Sequence, residues 1–346
     1  MTEDLSMVDR RERWSRRKFV GGLTLAGTAS LLGMRAEGAA AEPPPETRTV
    51  KLIRDPAICI APLYMAEELL RGEGFTDVQY VQTTGGQDDI KLAATGAIDF
   101  HAGFVGRHLA GLDSGDPIVI LAGLHIGCYE LFGNERVRSI RDLKGKQVAV
   151  TRLTHGKHIF LSIMARHVGL DPRHDINWVT DPAAKSMQLF AEGKIDAFMA
   201  FPPEPQEFRA KRIGHVVVNT TIDRPWSQYF CCMVVANRQF VRKHPVATKR
   251  ALRAILKANN ICALEPVLAA RTLKDKWYPT TNYDYALQTI KEIPYSQWRE
   301  YDPEDTVRFY SLRMNEFGMI KSSPQQMIAQ GTDWRFLNEL KKELKG

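Results

Sequence analysis

The sequence predicts an α/β protein of two lobes, each a mostly parallel sheet flanked by helices, with a helical C-terminal tail. Three observations carry this. Strand-like and helix-like segments alternate from residue 49 onward. The strands read as near-continuous apolar runs, as strands do when both faces of a sheet are covered. One stretch also occurs twice: residues 92–104, LAATGAIDFHAGF, return as residues 189–201, LFAEGKIDAFMAF, identical at six of thirteen positions and offset by 97 residues.

The first 41 residues stand apart from this pattern. Ser15, Arg16, Arg17, Lys18 and Phe19 precede an uncharged run over 19–34, and AEGAAAEPPP follows with small residues and a proline linker. That run is sixteen residues long, short of the ~20 apolar residues of a spanning helix. Basic, short apolar and small-residue regions in this order mark an export signal, cut after Ala41 and excluded from the fold. The paired arginines match the twin-arginine type, which places the mature chain in the periplasm. The alternative is an uncleaved membrane anchor.

In the first lobe, strands are expected over 49–55, 77–83, 98–104 and 117–125, with helices over 62–74, 87–95 and 107–113. In the second, strands are expected over 143–151, 176–180, 195–201 and 215–219, with helices over 157–168, 183–192 and 204–212. Gly96 and Gly193 close the repeated helices as left-handed caps. In each copy the leucine packs the helix, the isoleucine points into the sheet core, and Phe104 or Phe201 stands where strand gives way to loop. Such loop ends form the ligand crevice of open α/β sheets.

Composition narrows the function. The chain of 346 residues carries a net charge of +7, spread without a basic stripe interleaved with aromatics, so nucleic acid is not an expected partner. The five cysteines, Cys59, Cys128, Cys231, Cys232 and Cys262, are odd in number and follow no CxxC spacing. A chain of this size needs no disulfide framework, and most of the cysteines read as buried apolar residues.

Two such lobes, PLYMAEE after the first strand, the doubled G-x-I-D and a helical tail resemble the solute-binding proteins of bacterial ABC importers. The nearest group is the SsuA-like set that binds nitrate, sulfonate, taurine, bicarbonate or thiamine-precursor pyrimidines. The resemblance implies a periplasmic-binding-protein-like fold with lobe one at 42–125 and 236–346 and lobe two at 126–235. The chain would cross between lobes near 123–133 and 227–236, and helices from 243 onward would rejoin lobe one. It further implies capture of a small organic anion without catalysis, and partnership with a permease and its ATPase. The protein is expected to be a monomer without cofactor.

Candidate ligand residues lie at the strand ends: Cys59, Ile60, Tyr64, Thr84, Gly85, Gly86, Phe104 and His125 in lobe one, and Thr154, His155, Gly156, Phe201, Glu204 and Tyr229 in lobe two. Glycines and helix N-termini offer N–H groups to an anion, and the aromatics offer flat apolar walls. His125 or His155 would supply a conditional positive charge. Arg107 and Arg152 fall near the right loops without a readable orientation.

Three other chemistries have recognisable signals in a sequence. His155 and His158 could begin a metal site, but no third ligand is near in sequence, so no metal is expected. No G-x-S-x-G elbow supports hydrolysis. The yeast-type thiamine-pyrimidine synthase shares this fold and has a cysteine cluster in a stretch similar to YFCCMVVANRQF. Here only Cys231 and Cys232 stand in that stretch, and TTGGQDD has glycines where the synthase has its sacrificed histidine. Binding is therefore the primary expectation, with the synthase as the alternative.

Overall fold

In the computed structural model, residues 42–83 and 89–344 are described, and ten strands divide between two five-stranded sheets. The export signal read over 1–41, and Thr84, Gly85 and Gly86, lie outside the described residues. The first sheet has the order β2-β1-β3-β10-β4, with β1 Thr49–Arg54, β2 Asp77–Gln82, β3 Phe100–Phe104, β4 Ile118–Ile126 and β10 Phe230–Asn237. The second has the order β7-β6-β8-β5-β9, with β5 Glu130–Gly133, β6 Gln147–Val150, β7 Asn177–Thr180, β8 Ala197–Ala200 and β9 His215–Asn219.

The two orders superimpose strand for strand. In each sheet one strand is inverted: β10 runs antiparallel to β3 and β4, and β5 antiparallel to β8 and β9. Each inverted strand is the first that the chain makes after crossing from the other sheet. The sheets are thus mostly parallel, as expected, with one antiparallel insertion apiece. β10, which starts at Phe230 within the expected crossing segment, belongs to the first sheet.

The repeated sentence has a local cause. Gly96 and Gly193 take φ of +75° and +70°, the left-handed conformation that ends a helix most cheaply at glycine. Ile98 and Ile195 are buried. The aspartate then docks its copy onto the neighbouring parallel strand of its own sheet, β1 or β6. Asp99 N donates to Lys51 O at 2.7 Å and Asp99 Oδ2 accepts from Lys51 N at 2.8 Å. Asp196 repeats both bonds with Gln147, at 2.8 and 3.0 Å. An asparagine at the end of each inverted strand closes on the same aspartate: Asn237, the last residue of β10, donates its N–H to Asp99 O, and Asn134, just past β5, donates its N–H to Asp196 O.

Strand β4 lies at the edge of its sheet yet is buried at all nine positions. The tail covers it: Ile120 bridges to Thr332, and Asp333 N donates to Ile120 O at 3.0 Å. Covering an edge removes a template for pairing with other chains. Among the described residues no helix is long and apolar enough to cross a membrane.

Candidate functional site

Two helices that follow strand ends face each other across the lobes. Helix Val105–Asp113 leaves β3, and helix Gly156–His167 follows the loop after β6. A glycine stands on each side of their approach. A Cβ on Gly156 would stand 2.9 Å from Tyr129 Oη, 3.6 Å from Arg107 Cδ and 3.8 Å from Phe104 Cβ. A Cβ on Gly106 would stand 2.6 Å from Phe104 Cε1 and 3.2 Å from Ile159 Cγ2.

Behind this seam lies an aromatic cluster centred on Tyr129, which comes from the crossing between β4 and β5. Phe104 stacks on Phe160 at 4.7 Å, and its ring meets Tyr129 and Tyr310 edge-on at 5.9 and 5.5 Å. Phe201 lies 5.1 Å from Tyr129 on the other side. The two phenylalanines of the repeated stretch therefore meet on one ring. Tyr229 stacks on Phe309 at 3.9 Å, farther along the same wall.

In front of the seam a cleft of about 380 Å³ is lined from lobe one by Ile90, Lys91, Arg107 and Asp116, and from lobe two by Arg152, Thr154, His155 and Ile159. Among the described residues of the lining, three cationic side chains and a histidine stand against one carboxylate. Lys91 reaches Asp116 at 2.5 Å, and Arg107 is paired with Asp89. Asp89 also meets His101 Nε2 at 2.8 Å. Burial works against the Asp89 carboxylate, but His101 and Arg107 outweigh it and hold it well below the usual range. Burial, reinforced by His101, pushes neighbouring His108 down to about 3. This buried charge group fixes Arg107 at the mouth.

The expected ligand residues separate into three groups. Thr154 and His155 line the cleft, and Gly156, Phe104 and Phe201 stand at the seam behind it. Cys59, Ile60, Tyr64 and His125 are buried in the lobe-one core instead. The Tyr64 hydroxyl accepts from Asp55 N at 2.9 Å and donates to Asp55 O at 2.6 Å, a role in loop structure. Glu204 is held by Lys157 Nζ at 2.6 Å and accepts from Phe201 N at 2.7 Å, so its carboxylate braces the loop after β8. His158 Nδ1 accepts from Thr154 N at 3.2 Å, and its ring packs on Trp178. The aromatic partners Tyr129, Phe160 and Tyr310 escaped the sequence-based selection, since nothing local distinguishes them from core residues.

All five cysteines are buried and free, as their apolar reading implied. Four of them converge. Cys128 Sγ lies 3.5 Å from Cys231 Sγ, and Cys59 and Cys232 adjoin this pair. Burial raises the thiols of Cys59, Cys128 and Cys231, whereas hydrogen bonds from Cys128, Cys231 and Cys59 hold Cys232 well below the ordinary thiol range.

Residues 43–274 match the NMT1-like family. A 4-amino-5-hydroxymethyl-2-methylpyrimidine phosphate synthase of Saccharomyces cerevisiae is 26% identical over 222 residues, 60% of this chain and 64% of the yeast protein. The chain thus spans under two thirds of that relative's length. The crystal structure of the periplasmic nitrate-binding protein NrtA from Synechocystis PCC 6803 has a TM-score of 0.70 at 17% identity, covering 87% of this chain and 90% of its own. The periplasmic aliphatic sulphonate binding protein SsuA from Escherichia coli has a TM-score of 0.64 at 14% identity, covering 80% and 90%. These likenesses establish the two-lobed periplasmic-binding-protein fold.

Proposed function

The chain belongs to the NMT1-like family, and from that premise we propose that it is the substrate-binding component of an ABC importer. It captures a small organic anion between its lobes, without turnover, and delivers it to a membrane permease and its ATPase from the periplasm. The observation that carries this reading is the cleft itself, where Lys91, Arg107, Arg152 and His155 converge with Asp116 as the one carboxylate among the described lining residues. Helix Gly156–His167 turns its N-terminus to the same rim. Such an end favours negative charge by about 0.3–1 kcal/mol when exposed. Tyr129, Phe104 and Phe201 behind the rim suit an apolar body more than a bare inorganic ion.

A bound ligand stabilises the folded state by mass action. A thermal-shift screen of sulfonates, aromatic carboxylates, pyrimidines, nitrate and bicarbonate should give its largest rise with an organic anion. Arg152→Ala and Phe201→Ala should each weaken that ligand. High affinity for nitrate or bicarbonate, together with indifference to Phe201→Ala, would refute the proposal. The yeast relatives support a second reading, a pyrimidine phosphate synthase. Mass spectrometry of recovered ligand separates the two, because binding returns it unchanged.

A further inference from the structure

Four side chains from three distant segments bring their ligand atoms within 4.8 Å of one another: Cys59, His125, Cys128 and Cys232. Cys59 lies on the short turn after β1, His125 near the end of β4, Cys128 on the crossing to lobe two, and Cys232 on β10. His125 and Cys232 are direct partners in the β4–β10 ladder, so their side chains emerge on one side of the sheet. All four residues are buried.

Two independent features point to an occupant. The His125 ring sets Nδ1 at 3.1 Å from Ile126 O and 3.0 Å from Gly127 O. Two carbonyls can only accept, so Nδ1 carries the proton and Nε2 keeps its lone pair. That Nε2 is buried and turned to the Cys232 thiol. A ring whose Nδ1–H is spent on backbone carbonyls while Nε2 faces a cysteine sulfur is oriented as metal-bound histidines are. The second feature is Cys128, a non-glycine residue at φ +140°. Such backbone costs on the order of 1–3 kcal/mol and persists where the surroundings hold it. Here Thr220 Oγ1 accepts from both Cys128 N and Tyr129 N. Gly127 permits the turn, since a Cβ there would run into the Thr221 backbone.

We propose that Cys59, His125, Cys128 and Cys232 form a closed tetrahedral site for a thiophilic divalent cation of the zinc class. Three sulfurs and one imidazole select such ions over magnesium or calcium, which take oxygen. Bond lengths of roughly 2.3 Å to sulfur and 2.0 Å to nitrogen set ligand separations near 3.7 Å in a tetrahedron. Contraction from the present spread takes small side-chain rotations. Four protein ligands leave no open coordination position, so the role is structural: the ion clips the crossing segment to the lobe-one sheet. Cys231, 3.5 Å from Cys128, supports the site from outside it. A pocket of about 230 Å³, lined by Glu130, Gln206, Arg209 and Thr221, reaches Cys128 and supplies an entry path.

The test uses the full chain, purified reduced and without oxygen, titrated with Co²⁺ and then Zn²⁺. The expected result is one equivalent of cobalt with intense tetrahedral ligand-field and thiolate charge-transfer bands, all displaced by zinc. Cys232→Ser and His125→Ala should each weaken uptake by at least about tenfold and shift the bands. Cys262→Ser, which alters a buried cysteine outside the cluster, should leave both unchanged. Circular dichroism of each variant distinguishes loss of the site from loss of the fold. Absence of uptake by the folded wild type, octahedral spectra, equal loss in Cys262→Ser, or a Cys128–Cys231 disulfide in the anaerobic preparation would overturn the site.

Discussion

Asp99 and Asp196 hold equivalent places, but their carboxyls are shifted in opposite directions. Burial raises the Asp99 carboxyl despite the Lys51 backbone bond. At Asp196 burial pushes the same way, but the Gln147 N–H, Asn134 and Arg136 prevail and lower it. The signs follow. A lowered acid lends stability above the ordinary carboxylate range, near 3.9 for aspartate, and that contribution is lost as pH falls through its folded value. A raised acid costs stability above its folded value, and the cost is relieved as pH falls toward the ordinary range. Asp196→Asn should therefore lower stability at neutral pH by roughly 1 kcal/mol, with Arg136 contributing little of it because that side chain is 61% exposed. Asp99→Asn should cost less. Urea midpoints at neutral pH decide, and equal losses would contradict the assignment.

The lobes close helix against helix, so the seam depends on what Gly156 lacks. Gly156→Leu should wedge Tyr129 and Arg107 away, widen the angle between lobes in solution scattering and lower ligand affinity by tenfold or more, which is about 1.4 kcal/mol. A scattering profile and affinity like those of the wild type would show that the seam tolerates a side chain. At this scale much was legible in the sequence. Strand runs, glycine caps and the repeat are local signals, and helices Ala183–Ala191 and Glu204–Lys211 fall within a residue of expectation. The inserted strands were not legible in this way. ELFG is four residues long, and nothing in FCCMVVAN tells that it slots between β3 and β4. The candidate site divides likewise. Thr154 and His155 could be found from a helix start, whereas the convergence of Cys59, His125, Cys128 and Cys232 depends on pairing across more than a hundred residues, with no spacing rule to betray it.

For the molecule as a whole, one arginine joins the lobes outside the cleft lining. Arg209 pairs with Glu130 inside lobe two and reaches Glu292 of lobe one at 2.6 Å. Burial raises Glu130 in spite of Arg209, so Arg209→Ala strands a buried acid and should cost about 3 kcal/mol. Glu292→Gln removes only the partly exposed partner and should cost less than about 1 kcal/mol. Thermal melts of the two variants rank them, and a larger loss from Glu292→Gln would reverse the account. The interleaving of the chain also bears on how the protein is made. All five strands of the second sheet lie between residues 130 and 219 in one uninterrupted run, so that lobe can close as soon as it leaves the ribosome. The first sheet is begun earlier and finished later, because β10 must enter between β3 and β4. Until residue 237 has emerged, the nascent chain carries a finished second lobe beside an open first one, whose two apolar strand edges face each other across a gap the width of a strand. A message truncated before that point would leave those edges permanently bare and ready to pair with another copy.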